Sequence, residues 1–218
     1  MARSRDISKV LSSNSTLATD AEVAAFNYLT QSSASTVYQT KASAGLTLLT
    51  PTSIAATGGS GSISTNGAVS FTSASAISLN GVFSSTYDFY TIQLRAVNSS
   101  NTQNFLWRWR AAGSDLTALN YYNARMQTTT GGTVSGGGAG AANSAQLNQI
   151  ATGMGFYTIF TAYTQTEPRL NGNSYNSELS GLTTFASGYR ATQAVDGFTV
   201  YPGSGTITGK VSVYGYNE

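Results

Sequence analysis

The 218 residues include 40% hydrophobic side chains, enough for a packed core, but only 9% charged ones against the ~25% usual in soluble domains. The net charge of +2 gives no strong electrostatic footprint, which argues against nucleic acid as a partner. There is no cysteine and no histidine, which removes disulfides, thiolate metal sites and the commonest general base.

Residues 1–50 read as an attachment arm. Six of the twenty charges fall in the first 22 residues: Arg3, Arg5, Asp6, Lys9, Asp20 and Glu22. A polar run follows the basic start where a signal peptide would need an apolar one. Thr19-Asp20-Ala21-Glu22 has the form of a capping box, and it predicts a helix of about ten residues through Val23, Phe26 and Leu29. A helix that short needs a surface to dock on. Arg3, Arg5, Val23, Phe26 and Leu29 are therefore the expected attachment residues. The polar stretch Gln31–Ser43 reads as a linker or extended arm.

From Pro51 to the end the texture is that of a second domain, 51–218, in which alternation of period two dominates. Val69 and Phe71, then Ile77 and Leu79, then Tyr90, Ile92 and Leu94 each alternate with polar neighbours. Phe105, Trp107 and Trp109 follow, opposed by Leu106, Arg108 and Arg110. Tyr121–Gln127 and Phe156–Tyr163 are further candidate strands, and the last run from Phe198 to Val213. Turn pairs stand between them: Asn66-Gly67, Asn80-Gly81, Asn171-Gly172, Asp196-Gly197 and Pro202-Gly203-Ser204-Gly205. The glycines from Gly131 to Gly140 predict a loop on the sandwich edge. The fold class expected is mainly β, an antiparallel jelly-roll-like β-sandwich preceded by a short helical or extended N-terminal arm. No apolar run reaches 18 residues, so no membrane helix is predicted.

Chemistry has little to work with in this sequence. Asp88, Asp115, Glu167, Glu178 and Asp196 are the carboxylates of the second domain ahead of the C-terminal Glu218, and a glycosidase needs two of them roughly 5–9.5 Å apart. Turn and cap roles explain all five. The string from Gly203 to Val211 fails the phosphate-loop pattern in spacing and at Val211, and it reads as a hairpin. No calcium loop is present, so neither metal nor cofactor is expected. The hexad Phe105-Leu106-Trp107-Arg108-Trp109-Arg110 admits two readings. Either its aromatics fill the core, with Arg108 and Arg110 in solvent or an interface, or Trp107 and Trp109 stack sugars while Arg108 and Arg110 hold acidic glycan groups. Tyr121, Tyr122, Tyr157, Tyr163, Tyr175 and Tyr189 are candidates to face partner subunits.

Leu46–Ile54, Ala76–Phe83, Tyr87–Tyr90 and Gly205–Tyr216 together resemble a recurring module of tailed-bacteriophage virion proteins, found in marine and cyanobacterial phages and in some minor tail proteins. Met1–Val10 likewise resembles the start of phage fibre and appendage proteins. The resemblance implies a non-enzymatic structural protein on the exterior of the virion, forming a homotrimer and contacting other phage structural proteins. It implies no functional residue. A tail-associated fibre or adhesin component, with a host surface glycan as a partner, is the first expectation. A head decoration or cement protein is the second, and a glycan depolymerase the third.

Overall fold

In the computed structural model of this chain, the described residues are 45–100, 102–128, 131–163, 166–177 and 181–217. The expected helix and the attachment residues Arg3, Arg5, Val23, Phe26 and Leu29 lie outside them, as does Glu178. Every regular element among the described residues is a β-strand. The first eight are β1 Thr47–Leu49, β2 Ser53–Thr57, β3 Ser60–Ile63, β4 Val69–Ala74, β5 Ala76–Asn80, β6 Phe89–Asn98, β7 Gln103–Ala111 and β8 Ser114–Asp115. The others are β9 Tyr121–Thr128, β10 Val134–Ala142, β11 Ala145–Ile150, β12 Gly155–Ala162, β13 Arg169–Asn176, β14 Gly181–Tyr189, β15 Gly197–Pro202 and β16 Ile207–Tyr216.

They form two antiparallel sheets. The larger runs β10-β9-β14-β13-β12-β6-β16-β4-β3, with β1 also on β16, and the smaller runs β11-β7-β15-β5-β2, with β8 on β7. The antiparallel sandwich predicted from alternation is the fold observed. Strands such as β13 and β14 alternate strictly between buried and exposed side chains, as a sheet with one packed and one solvated face requires. The inward side chains of both sheets meet in one core. Phe105 of β7 lies 4.8 Å from Tyr157 of β12, and Phe83 packs its ring against Tyr90, Trp109 and Phe198.

Four expectations are corrected by the strands. The glycine-rich segment lies at the sandwich edge as expected, but only Gly131 and Gly132 are in a loop: from Val134 it is a strand, with β10 pairing β9 from Val134↔Thr128 to Gly138↔Ala124. Backbone pairing needs no side chain, and at two of these positions the space beside the backbone is already taken. A Cβ on Gly140 would stand 3.1 Å from the Tyr122 ring, and one on Gly138 2.7 Å from the Asn123 carbonyl. Asn171-Gly172 is not a turn but the middle of β13, where Gly172 lies beneath the Phe185 ring. Residues 203–211 are not a hairpin. β15 belongs to the small sheet and β16 to the large one, so the chain crosses between sheets there, with Gly205 at φ 80°. The sandwich also starts before Pro51, because β1 pairs with β16 and Leu49 packs on the core.

Buried phenols make the fold sensitive to alkali. Tyr121 donates to the Leu116 carbonyl at 2.9 Å, and Tyr157 donates to that of Gln149 at 2.9 Å. Desolvation by burial, the largest cause for each, raises both above the ordinary tyrosine value of 10.0. The unfolded chain ionises these groups near pH 10 while the folded chain still holds their protons. Their contribution to stability is therefore complete below pH 10 and is lost above it. Urea unfolding followed by circular dichroism is expected to show a flat midpoint from pH 7 to about 9.5, then a fall of at most about 1.4 kcal/mol per pH unit for each such tyrosine.

Candidate functional site

The Trp-Arg hexad does not form a binding surface. Trp107 and Trp109 have no exposure, so neither can stack a sugar, and the core reading of these aromatics is the observed one. Trp107 stacks on Phe198 at 4.1 Å and 9°, with Trp109 edge-on at 5.3 Å. Burial of two indoles is worth more than any exposed use of them, which is the physical reason for the correction. Arg110 lies on the opposite face in a closed polar network. It donates to Asp115, to Asn80 Oδ1 at 2.8 Å and to Thr199 Oγ1 at 3.1 Å, while Thr199 donates to Asp115 at 2.6 Å. Arg108 donates to the Asn143 carbonyl at 3.1 Å and covers the Tyr201 ring at 4.8 Å. Both arginines serve the sheet itself.

The other candidates divide in the same way. Tyr121, Tyr157 and Tyr189 are buried in the core, whereas Tyr122 and Tyr175 are exposed. Asp115 pairs with Arg110, Glu167 pairs with Arg169 at 2.8 Å, and Asp196 accepts from the Ala112 N–H at 3.2 Å. Among the described residues no group of three or more His, Cys, Asp or Glu side chains could hold a metal ion.

The site that does emerge is a groove of about 910 Å³ on the outer face of the large sheet. Alternation turns Phe160 of β12, Asn171 of β13, Ala186 of β14 and Ala124 of β9 outward, and pairing sets them side by side in one row that ends at Gly138 of β10. A neighbouring row holds Arg169, Gly188 and Tyr122. At the other end Phe89 of β6 stacks on Tyr216 of β16, with ring centroids 5.5 Å apart and planes 22° apart. The floor is thus made of alanine and glycine, and the walls of aromatic rings and two arginines. From β16 to β10 the groove crosses seven strands, a span of roughly 29 Å at ~4.8 Å per inter-strand step.

Charge in this groove lies on its β13-to-β9 side. Arg190 lies over the Tyr122 ring, its guanidinium carbon 3.9 Å from the centroid. Glu167 holds a left-handed backbone, φ 47°, and its N–H donates to the Ala191 carbonyl at 3.2 Å. Its carboxylate pairs with Arg169. Phe160 is 41% exposed, although an aromatic side chain gains most by burial.

Comparison with known proteins adds little beyond the fold. No family model matches the chain, and no curated protein does. Among solved structures, peanut lectin with a nine-residue peptide is similar over 78% of this chain and 96% of its own, at 11% identity and TM-score 0.39. Domain 4 of AbnA, an extracellular GH43 arabinanase from Geobacillus stearothermophilus, in complex with arabinotriose, is similar over 75% of this chain and 82% of its own, at 11% identity and TM-score 0.32. The binding domain of botulinum neurotoxin serotype G covers 79% of this chain and 44% of its own, at 8% identity and TM-score 0.20. Likeness at these values carries no inference about a ligand, and the site has to be read from its own geometry.

Of the groove residues, the sequence marks Tyr122 and Tyr189 as candidate partner contacts and Glu167 as a carboxylate, whereas Phe160, Ala124 and Ala186 do not stand out, because each is the outward member of an ordinary alternating pair. One signal was available. In Phe156–Phe160 both alternating sets carry large apolar side chains, Phe156 and Phe160 on either side of Thr158 against Tyr157 and Ile159. A strand with one face in the core and one in water has no need of the second set.

Proposed function

We propose that this chain is a non-catalytic component of a tailed-phage particle exterior whose sandwich contacts host surface glycans through the groove of the large sheet. The observation that carries the glycan reading is the groove itself, in which an exposed Phe160 and the Phe89–Tyr216 stack flank a small-residue floor. Aromatic rings offer apolar faces that match the C–H faces of sugars, and Asn171 and the arginines offer hydrogen bonds to hydroxyls. The phage assignment comes from the sequence resemblance and agrees with the charge-poor composition. Attachment through residues 1–44 is part of the same proposal.

The test uses the full chain against an array of bacterial surface glycans and against host envelope fractions. Wild type is expected to retain a defined set of glycans. Phe160→Ala is expected to bind them about tenfold more weakly or worse, a loss of ~1.4 kcal/mol, with an unchanged circular dichroism spectrum. Retention of full affinity by the alanine variant, or no glycan bound by wild type, would remove this reading.

A second reading, the head decoration protein, draws on a different feature. Phe156, Tyr175 and Leu182 are in register on three adjacent strands and are 46–55% exposed, an apolar row suited to a protein neighbour. Gold-labelled antibody against residues 51–218 on intact particles separates the two, since label over the head favours decoration and label at the tail favours the adhesin.

A further inference from the structure

We propose that the groove selects acidic glycans, with a sugar carboxylate seated above Gly188 between Arg169 and Arg190. This rests on the glycan reading above and adds the chemical class of the sugar. In register, Gly188 stands between Arg169 on one neighbouring strand and Tyr122 on the other. The two flanking residues are therefore separated by about two strand spacings, ~10 Å, with no side chain between them. A Cβ on Gly188 would meet only Arg169 Cγ, at 3.6 Å, so the slot is open above the backbone.

Both cations are available to a ligand. The Tyr122 face holds Arg190 in place without neutralising it, because a ring quadrupole attracts a cation but carries no net charge. Arg169 is paired with Glu167, but their side chains are 75% and 48% exposed. An ion pair that open to water contributes little, so one edge of the guanidinium can be given up to a second carboxylate at small cost. The planar fork of arginine suits a carboxylate better than any hydroxyl. Among the described residues lining the groove, Arg169, Arg190 and Glu167 carry all the charge, leaving an excess of one positive. In a chain with so few charges, two arginines beside one glycine slot set the sign of the ligand. The opposite end, with Phe160, Phe89 and Tyr216, is neutral. The ligand is therefore a chain with a carboxylate at one position and bare pyranose faces further along.

Calorimetric titration of the full chain tests this with matched probes: hexagalacturonate against its methyl ester, and 3′-sialyllactose against lactose. The acidic member of at least one pair is expected to bind about tenfold tighter or more than its neutral counterpart, and the difference is expected to shrink at high salt. Arg190→Gln should abolish the preference, and Arg190→Lys, which keeps the charge but not the fork, should retain part of it. Circular dichroism of both variants confirms folding. Equal binding of acidic and neutral members overturns the acidic selectivity while leaving the glycan reading in place. A preference that survives Arg190→Gln overturns the assignment of the slot. Absence of binding to these probes and to every glycan of the array overturns both inferences together.

Discussion

Trp107→Ala is expected to remove ~3–5 kcal/mol of stability, the range for deleting a large aromatic from a close-packed interior. The indole has no exposure, stacks on Phe198 at 4.1 Å and meets Trp109 edge-on at 5.3 Å. Alanine would leave a void bounded by both rings, and neither can move far without losing its other contacts. Trp109 and Phe198 also pack on Phe83, so the damage reaches the segment between β5 and β6. At about 2–4 °C per kcal/mol for a domain this size, the melting temperature should fall by roughly 6–20 °C. Trp107→Phe should be milder, because the buried Nε1 has no hydrogen-bond partner to lose and a phenyl ring can keep the stack. Urea unfolding monitored by circular dichroism checks both variants. A loss under about 1 kcal/mol for the alanine variant would contradict a well-packed core at this position.

Gly172→Ala is expected to destabilise by about 1–3 kcal/mol or more, an unusual cost for the addition of one methyl group to a strand. Its Cβ would stand 2.3 Å from the Thr158 carbonyl oxygen and 2.8 Å from Phe185 Cζ. The first obstacle is backbone of the adjacent strand, and the second is a ring that is 1% exposed. Neither yields cheaply. Shortening the ring in Phe185→Leu should relieve part of the clash, so the double variant should lose less than the sum of the two single losses. Gly188→Ala, on the next strand, is the control. Its nearest contact would be an ordinary 3.6 Å, and its effect on thermal stability should lie within about 0.5 kcal/mol.

The contrast between these two glycines bears on how far the sequence could be read. Asn171-Gly172 has the chemistry of a turn, yet Gly172 is a strand residue because Phe185 needs the space above it. A glycine chosen for lack of a side chain and one chosen for positive φ look alike in a sequence. Gly67 and Gly81, at φ 94° and 65°, are of the second kind and were read correctly as turns. The core strands were legible because one of their two alternating sets is polar, as in Tyr90-Thr91-Ile92-Gln93-Leu94. β12 was legible as a strand, but which of its two apolar sets faces water was not. That choice is made by register with β6 and β13, where Ile159 sits between Ile92 and Gly172 on the inner side. The groove was illegible for a related reason. Its walls come from residues between Phe89 and Tyr216 that only pairing brings together. The edge strand β10 escaped because nine residues with seven Gly or Ala in succession offer no pattern of period two.

The position of β16 sets an order on how the protein is made. It lies between β6 and β4 and also carries β1, so Thr47 is held against Gly215 and Val69 against Val211. Until residue 216 has left the ribosome, the strands from β6 to β10 and the strands β1, β3 and β4 have no common neighbour in the large sheet. Until then β6 and β4 each lack the neighbour that β16 supplies and β1 has no partner strand, so the large sheet closes through sequence-distant pairings such as Thr47 with Gly215. Closure of that kind is slow, and strands formed before it present edges open to pairing with other chains. Synthesis of many copies in one cell would make the interval before closure the stage at which yield is decided.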